Sequence, residues 1–127
     1  MKNAGLPNRN TTALLVIDVQ ERLMPVIQGS EAIFNNVNKL LSGAALLGIS
    51  TIVTEQYPKG LGHTCAEIQI PENASIDEKM CFSCMRSDSV LSKLKQSNIT
   101  DIIICGVESH ICVLKTALEA IEQGFNV

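Results

Sequence analysis

Continuous apolar runs and periodic apolar segments alternate along this chain, which predicts an alternation of strands and helices. Three short runs of aliphatic and β-branched residues predict strands at 13–17, 50–54 and 102–105. The first and third runs show no polar alternation. We therefore expect both strands to be buried on both faces, like the central strands of a parallel sheet.

Three other segments carry apolar residues at helical spacing, and the second and third begin at serines that can cap a helix. They cover 30–48, with Gly48 as the expected stop; 87–94, capped by Ser87 or Ser89; and 109–124, capped by Ser109 and stopped by Gly124. Residues 55–77 follow no period and contain prolines and glycines. We expect them to form a long loop that walls a pocket.

This order of elements predicts an α/β fold with a central parallel sheet and helices on both faces, a three-layer αβα, Rossmann-like arrangement. At 127 residues, with 46% of them hydrophobic, the chain is expected to form a single domain, 1–127. Residues 124–127 are typical of a helix stop followed by a new strand. We therefore expect the fold to be cut short at its C-terminal end.

Polar residues follow the predicted strands at the edge of the sheet where ligands of parallel α/β folds bind. Asp18 follows the first strand, Glu55 the second, and the turn 106–112 the third. Each residue also has a structural interpretation, because an Asp after a strand often caps a loop and a Cys in an apolar helix is often packed in the core. Their convergence nevertheless predicts a site.

Cys112 falls in the first turn of the last predicted helix. Unpaired backbone N–H groups and the positive end of the helix dipole favour a thiolate there. We expect Cys112 to be partly accessible, to titrate below an ordinary thiol, and to react faster with iodoacetamide than Cys105, which lies in an apolar strand. His110 is two residues away and points elsewhere on a helix, so we interpret it as a surface or interface residue.

Composition and charge argue against several classes of partner. The net charge of −3 and the presence of only one Tyr and three Phe argue against nucleic-acid binding. No apolar run is long enough to span a membrane, and residues 1–10 lack the apolar core of a signal peptide. We expect no membrane partner and a cytoplasmic location, with the five cysteines reduced.

Four ordered segments carry a resemblance to a known family. They are LLVIDVQERLMPVI at 14–27, IVTEQYPKGLG at 52–62, EKMCFSC at 78–84 and ICGVESHICVLKTALEAIEQGFNV at 104–127. Together they resemble the isochorismatase-like cysteine hydrolases, a superfamily that includes the nicotinamidases. The second segment is most similar to the subgroup called isochorismatase domain-containing proteins.

The resemblance implies a catalytic triad of Asp18, Lys79 and Cys112. In chemical terms, Lys79 would stabilise the Cys112 thiolate, while Asp18 would take the thiol proton and later deliver one to the leaving group. We expect the three side-chain tips to lie within roughly 3–4 Å of one another or to be linked by one water. The resemblance also implies a cis peptide between Val107 and Glu108 and an oxyanion hole formed by the N–H groups of Glu108 and Cys112.

The presence of the thiol indicates the type of reaction. Family members that hydrolyse vinyl ethers lack this cysteine, so Cys112 favours hydrolysis of a small amide-type C–N bond through a covalent thioester. We expect Gln20, Tyr57 and Phe82 to contact the substrate, although Tyr57 is equally compatible with an exposed loop. We expect a homo-oligomer, because a neighbouring subunit often walls the pocket in this family.

We expect no cofactor and no catalytic metal. Nicotinamidases bind a metal with an Asp-x-His pair and a further His, whereas this chain has Glu55, Gln56 and Tyr57 in that place and only His63 nearby. Two alternatives stay open. One is a relative that uses the fold only to bind a small molecule or a protein. The other, less favoured, is a zinc or thiol redox protein that uses His63, Cys65, Cys81 and Cys84.

Overall fold

The computed structural model describes residues 5–127. Its core is a sheet of four parallel strands: β1 Thr12–Ile17, β2 Ser50–Gln56, β3 Ser75–Lys79 and β4 Asp101–Gly106. The strand order is β3-β2-β1-β4. Four α-helices accompany it: α1 Ser30–Leu47, α2 Pro58–Leu61, α3 Asp88–Gln96 and α4 Leu114–Glu122.

Helices cover both faces of the sheet, as a parallel sheet requires. Along β1, Leu15 packs on one face with Val90 of α3 and Ala120 of α4, whereas Val16 packs on the other face with Leu41 of α1. Every residue of β1 is buried. The predicted three-layer α/β fold is confirmed.

One strand of the sheet lies inside the segment predicted to be a loop. β3 was not predicted, because its apolar and polar side chains face the opposite way from those of an ordinary strand. Ile76 is exposed, while Asp77 and Lys79 point inwards and are buried. β2 extends to Gln56, and α2 adds one helical turn directly after it. The irregular connection is therefore 62–74, shorter than expected.

β4 is less buried than its apolar sequence predicts. In the sheet of residues 5–127 it lies at one edge, and Ile103, Ile104 and Cys105 are only partly buried. Beyond β4, a parallel bridge joins Asp101 to Asn126. The expectation that all of this strand is buried on both faces was wrong.

The helix after β4 begins differently from its prediction. Ser109–Val113 forms a π-helical turn, in which the Val113 N–H reaches the Glu108 carbonyl at 3.3 Å, and α4 follows directly. Glu108, not Ser109, occupies the N-cap position, and no side chain caps the turn. Among the helices of residues 5–127, none is long and apolar enough to cross a membrane.

Candidate active site

Asp18 follows the last residue of β1 and is fully buried. Its backbone has a positive φ of 53°, and its N–H continues the ladder to the Thr54 carbonyl at 3.2 Å. The Thr54 hydroxyl donates to Oδ1 of Asp18 at 2.8 Å. The carboxylate is thus held in one orientation, with Oδ2 left for another donor.

Lys79, the last residue of β3, supplies that donor. Its Nζ lies 2.8 Å from Oδ2 of Asp18, and both side chains are fully buried. Nζ also donates to Oε1 of Gln56 at 2.8 Å and to the carbonyls of Phe82 at 3.0 Å and Cys81 at 3.1 Å. An ammonium removed from water needs such partners, and here one charged and three neutral oxygens provide them.

The thiol of Cys112 completes the cluster. Its Sγ lies 3.8 Å from Nζ of Lys79, and the carboxylate of Asp18 also acts on the thiol through a hydrogen bond and its charge. The structure therefore brings Asp18, Lys79 and Cys112 together at the carboxyl ends of the strands, although they come from three separate segments.

The expectation that Cys112 is partly accessible and titrates below an ordinary thiol was wrong. Cys112 is only 6% exposed. Burial raises the pKa of its thiol to about 12, and the hydrogen bond to Asp18 and the charge of Asp18 raise it further than the Lys79 cation can lower it. Asp18 and Lys79 already cancel each other's charge, so ionising the thiol would leave a net negative charge out of water.

The turn before Cys112 has the geometry that the resemblance implies. The peptide bond between Val107 and Glu108 is cis. The N–H of Val107 donates to the Ile17 carbonyl at 2.9 Å, which ties the turn to the end of β1. Within residues 5–127, the Glu108 N–H donates to no main-chain carbonyl. The turn that leads to Cys112 thus holds a backbone N–H without a main-chain acceptor.

The three residues expected to contact substrate differ in their placement. Gln20 is fully buried, and its amide binds backbone groups of Gln56 and Gly62 at 2.7–2.9 Å. It braces the site with both of its amide N–H groups, and its contact with substrate stays a prediction. Tyr57 and Phe82 are each 47% exposed beside the segments that hold Lys79.

Sequence reasoning missed two residues that touch the cluster directly. Thr54 orients Asp18, and Gln56 binds Lys79. Both lie near the end of β2, the strand between those that carry the charged pair. Their position at the carboxyl end of a buried strand was the available signal, because parallel strands place such residues at the same edge.

Glu55 does not join the cluster. Burial alone would raise the pKa of this carboxyl, but hydrogen bonds from the Thr64 N–H, from His63 and from the Thr64 hydroxyl lower it overall. In return, the hydrogen bond and the charge of Glu55 raise the pKa of the exposed His63. Glu55 thereby anchors the connection 62–74 to the end of β2.

The four residues of the zinc or redox alternative do not come together. Cys65 belongs to the core on the α1 face of the sheet, whereas Cys84 belongs to the core on the opposite face. Burial raises the pKa of Cys84 to about 11. Within residues 5–127, no three His, Cys, Asp or Glu side chains are grouped as metal ligands would be. His110 is exposed, as expected for a surface residue.

The fold places the chain among the isochorismatase-like α/β domains. A Pseudomonas putida isochorismatase shares it with a TM-score of 0.84 over 95% of this chain and 69% of that one, at 22% identity. Residues 12–127 also match the model of the isochorismatase domain. The chain belongs to this family, part of the isochorismatase-like hydrolase superfamily.

Several relatives are similar over nearly the whole chain. Isochorismatase domain-containing protein 1 of Salmo salar is 36% identical over 92% of this chain and 41% of its own length. Isochorismatase domain-containing protein 2 of Danio rerio is 36% identical over 100% of this chain and 64% of its own. The solved structure of the MAR1 ribonuclease from Caenorhabditis elegans is 39% identical, with a TM-score of 0.87 over 94% of this chain and 62% of that one. The chain thus spans less than two thirds of each of these relatives.

Proposed function

We propose that this protein is a cysteine-dependent hydrolase that cleaves a C–N bond in a small amide-type substrate. The observation that carries the proposal is the buried contact of Asp18, Lys79 and Cys112 at the carboxyl ends of the strands. A thiol, a carboxylate and a fixed cation are groups that can together carry out nucleophilic attack on a carbonyl.

The raised pKa of Cys112 determines how the first step is proposed to run. The resting site holds a neutral thiol beside the ion pair of Asp18 and Lys79. As Sγ bonds to the substrate carbonyl carbon, the thiol proton moves to Asp18, and negative charge appears on the carbonyl oxygen. Lys79 keeps its charge and its hydrogen bonds. The ionised sulfur therefore never has to exist alone in the buried site.

The turn after β4 is proposed to receive the developing oxyanion. The N–H groups of Glu108 and Cys112 lie at an uncapped helix start, where backbone donors and the helix dipole favour negative charge. Asp18 then gives its proton to the amine nitrogen as the C–N bond breaks, which leaves a thioester on Cys112. Asp18 next takes a proton from a water whose oxygen adds to the thioester carbonyl. As the C–S bond breaks, the carboxylic acid is released and Asp18 returns the proton to the sulfur.

A screen of small amides with ammonia release as the readout tests this proposal. We expect turnover of at least one amide by the native protein, and its loss in Cys112→Ala. Ser109→Ala, at an exposed position, alters the same turn without removing the thiol and is the control. Binding without turnover by both native protein and Cys112→Ala would favour the alternative of a non-catalytic binding relative.

We propose a small-molecule partner and no nucleic acid, even though the Caenorhabditis elegans relative is named a ribonuclease. The net charge of −3 gives a phosphate backbone little to bind. A single-stranded RNA included in the screen is expected to remain intact. Cleavage that Cys112→Ala abolishes would replace the amide by RNA as the proposed substrate.

A further inference from the structure

Gln56 binds the strand end that carries Lys79 with both ends of its side-chain amide. Its Oε1 accepts a hydrogen bond from Nζ of Lys79 at 2.8 Å. Its Nε2 donates to the carbonyl of Met80 at 3.1 Å. Both contacts reach across from β2 to β3 and its following residue. The amide group is therefore fixed relative to the ammonium that it holds.

The main chain of Gln56 is itself held by the buried Gln20. The N–H of Gln56 donates to Oε1 of Gln20 at 2.7 Å, and Nε2 of Gln20 donates to the Gln56 carbonyl at 2.9 Å. The Gln20 amide thus pairs with this residue as a neighbouring strand would. Because Gln20 is fully buried, the end of β2 has little freedom to move.

Lys79 has more acceptors than protons. Three N–H groups face four oxygens within 3.1 Å, and Sγ of Cys112 lies farther away at 3.8 Å. Where the ammonium sits between Asp18 and Cys112 therefore depends on the oxygens that pull on it. Gln56 supplies a strong neutral acceptor, so it directs the cation without adding charge to the buried cluster.

We propose that Gln56 is a positioning residue that holds the Lys79 ammonium between Asp18 and Cys112, an inference that rests on the hydrolase function proposed above. Without this acceptor, the ammonium turns towards the carbonyls of Cys81 and Phe82 and its charge acts less on Cys112. With a carboxylate in its place, the ammonium is shared between two anions.

Alkylation of Cys112 by iodoacetamide as a function of pH tests the inference without any substrate. The rate is followed on the full chain through the mass of the peptide that contains Cys112. We expect Gln56→Met to move the profile to higher pH and to slow alkylation at pH 8 by about fivefold to tenfold, since each unit of thiol pKa changes the thiolate fraction about tenfold. Gln96→Met, on the exposed side of α3, is the matched control and should leave the profile unchanged.

A lower melting temperature with an unchanged alkylation profile would mean that Gln56 is only structural and would overturn the inference. If Gln56→Met does not fold, Gln56→Glu decides, because its carboxylate still binds Lys79 and should also move the profile to higher pH, with Gln96→Glu as its control. An unchanged profile there would equally overturn it. Absence of amide turnover by the native protein refutes the proposed hydrolase and leaves the alkylation result intact, so the two failures are distinguishable.

Discussion

The thiol of Cys112 illustrates how the surroundings of one residue outweigh its position on a helix. An uncapped helix start favours a thiolate, but burial and the neighbouring Asp18 carboxylate favour the protonated form. Sequence shows the helix start and does not show the burial. For that reason the predicted low pKa of the thiol had the wrong sign, although Cys112 does lie in the predicted cluster with Asp18 and Lys79.

Neutralising Asp18 is expected to change alkylation of the Cys112 thiol and hydrolysis of an amide in opposite directions. Asp18→Asn removes the charge and the acceptor that raise the pKa of Cys112, while Lys79 remains as a favourable cation. The alkylation profile of Cys112 should therefore move to lower pH, whereas amide hydrolysis should fall by about 10²–10⁴-fold because the proton acceptor is lost. Asp88→Asn, at an exposed position, is the control. A profile that stays in place or moves to higher pH would contradict this account of the thiol.

Removing the cation alone is expected to cost more stability than removing the whole ion pair. Lys79→Met leaves the Asp18 carboxylate buried without its partner, which should lower the free energy of unfolding by about 3–5 kcal/mol. The double variant Asp18→Asn, Lys79→Met should recover part of that loss. Urea unfolding measures both, with the exposed Lys95→Met as the control. Equal losses in the single and double variants would show that packing, not charge, dominates at this position.

At the level of elements, the sequence predicts the strands and helices that bury apolar side chains. It misses the strand that buries charged ones. β1, β2 and β4 follow from their aliphatic runs, α1 from helical spacing, and α3 from helical spacing and its cap Ser87. β3 escapes prediction because its inward side chains are Asp77 and Lys79. The same inversion hid part of the site: Lys79 was identified only through the family resemblance, and Gln56 not at all.

The junction between β4 and the following turn depends on a glycine. Gly106 has a φ of 121°, and a Cβ on it would overlap the carbonyl oxygen of Ile17. We expect Gly106→Ala to lower the free energy of unfolding by on the order of 3 kcal/mol or more. Gly43, inside α1, has nothing within 4 Å of such a Cβ, and Gly43→Ala should stabilise the protein by about 0.5–1 kcal/mol. Urea unfolding of both variants measures the difference, and equal stabilities would contradict the assigned close approach.

At the level of the whole molecule, strand order explains why the cluster contains a lysine. β1, which ends before Asp18, lies next to β4, which leads to Cys112, but two strand spacings from β3. Adjacent strands are about 4.8 Å apart, so a group at the end of β3 must extend across β2 to reach Asp18. The long side chain of Lys79 does this, passing beside Gln56 at the end of β2. Strand order can be deduced only once β3 is recognised, which is why sequence reasoning could not supply this geometry.

The outer face of α4 supports the expectation that the chain associates with itself. Leu114, Leu118 and Ile121, at helical spacing, are 47–57% exposed and form a continuous apolar stripe. We expect a molecular mass in solution that is a multiple of 13.7 kDa, measured by analytical ultracentrifugation.

If the stripe is the contact, Leu118→Glu should shift the equilibrium towards the single chain, because a charge buried in an apolar interface is strongly unfavourable. Leu46→Glu, at the highly exposed end of α1, adds the same charge elsewhere and should leave the mass unchanged. A native protein that sediments as one chain would refute self-association, and equal effects of the two variants would refute the assigned face.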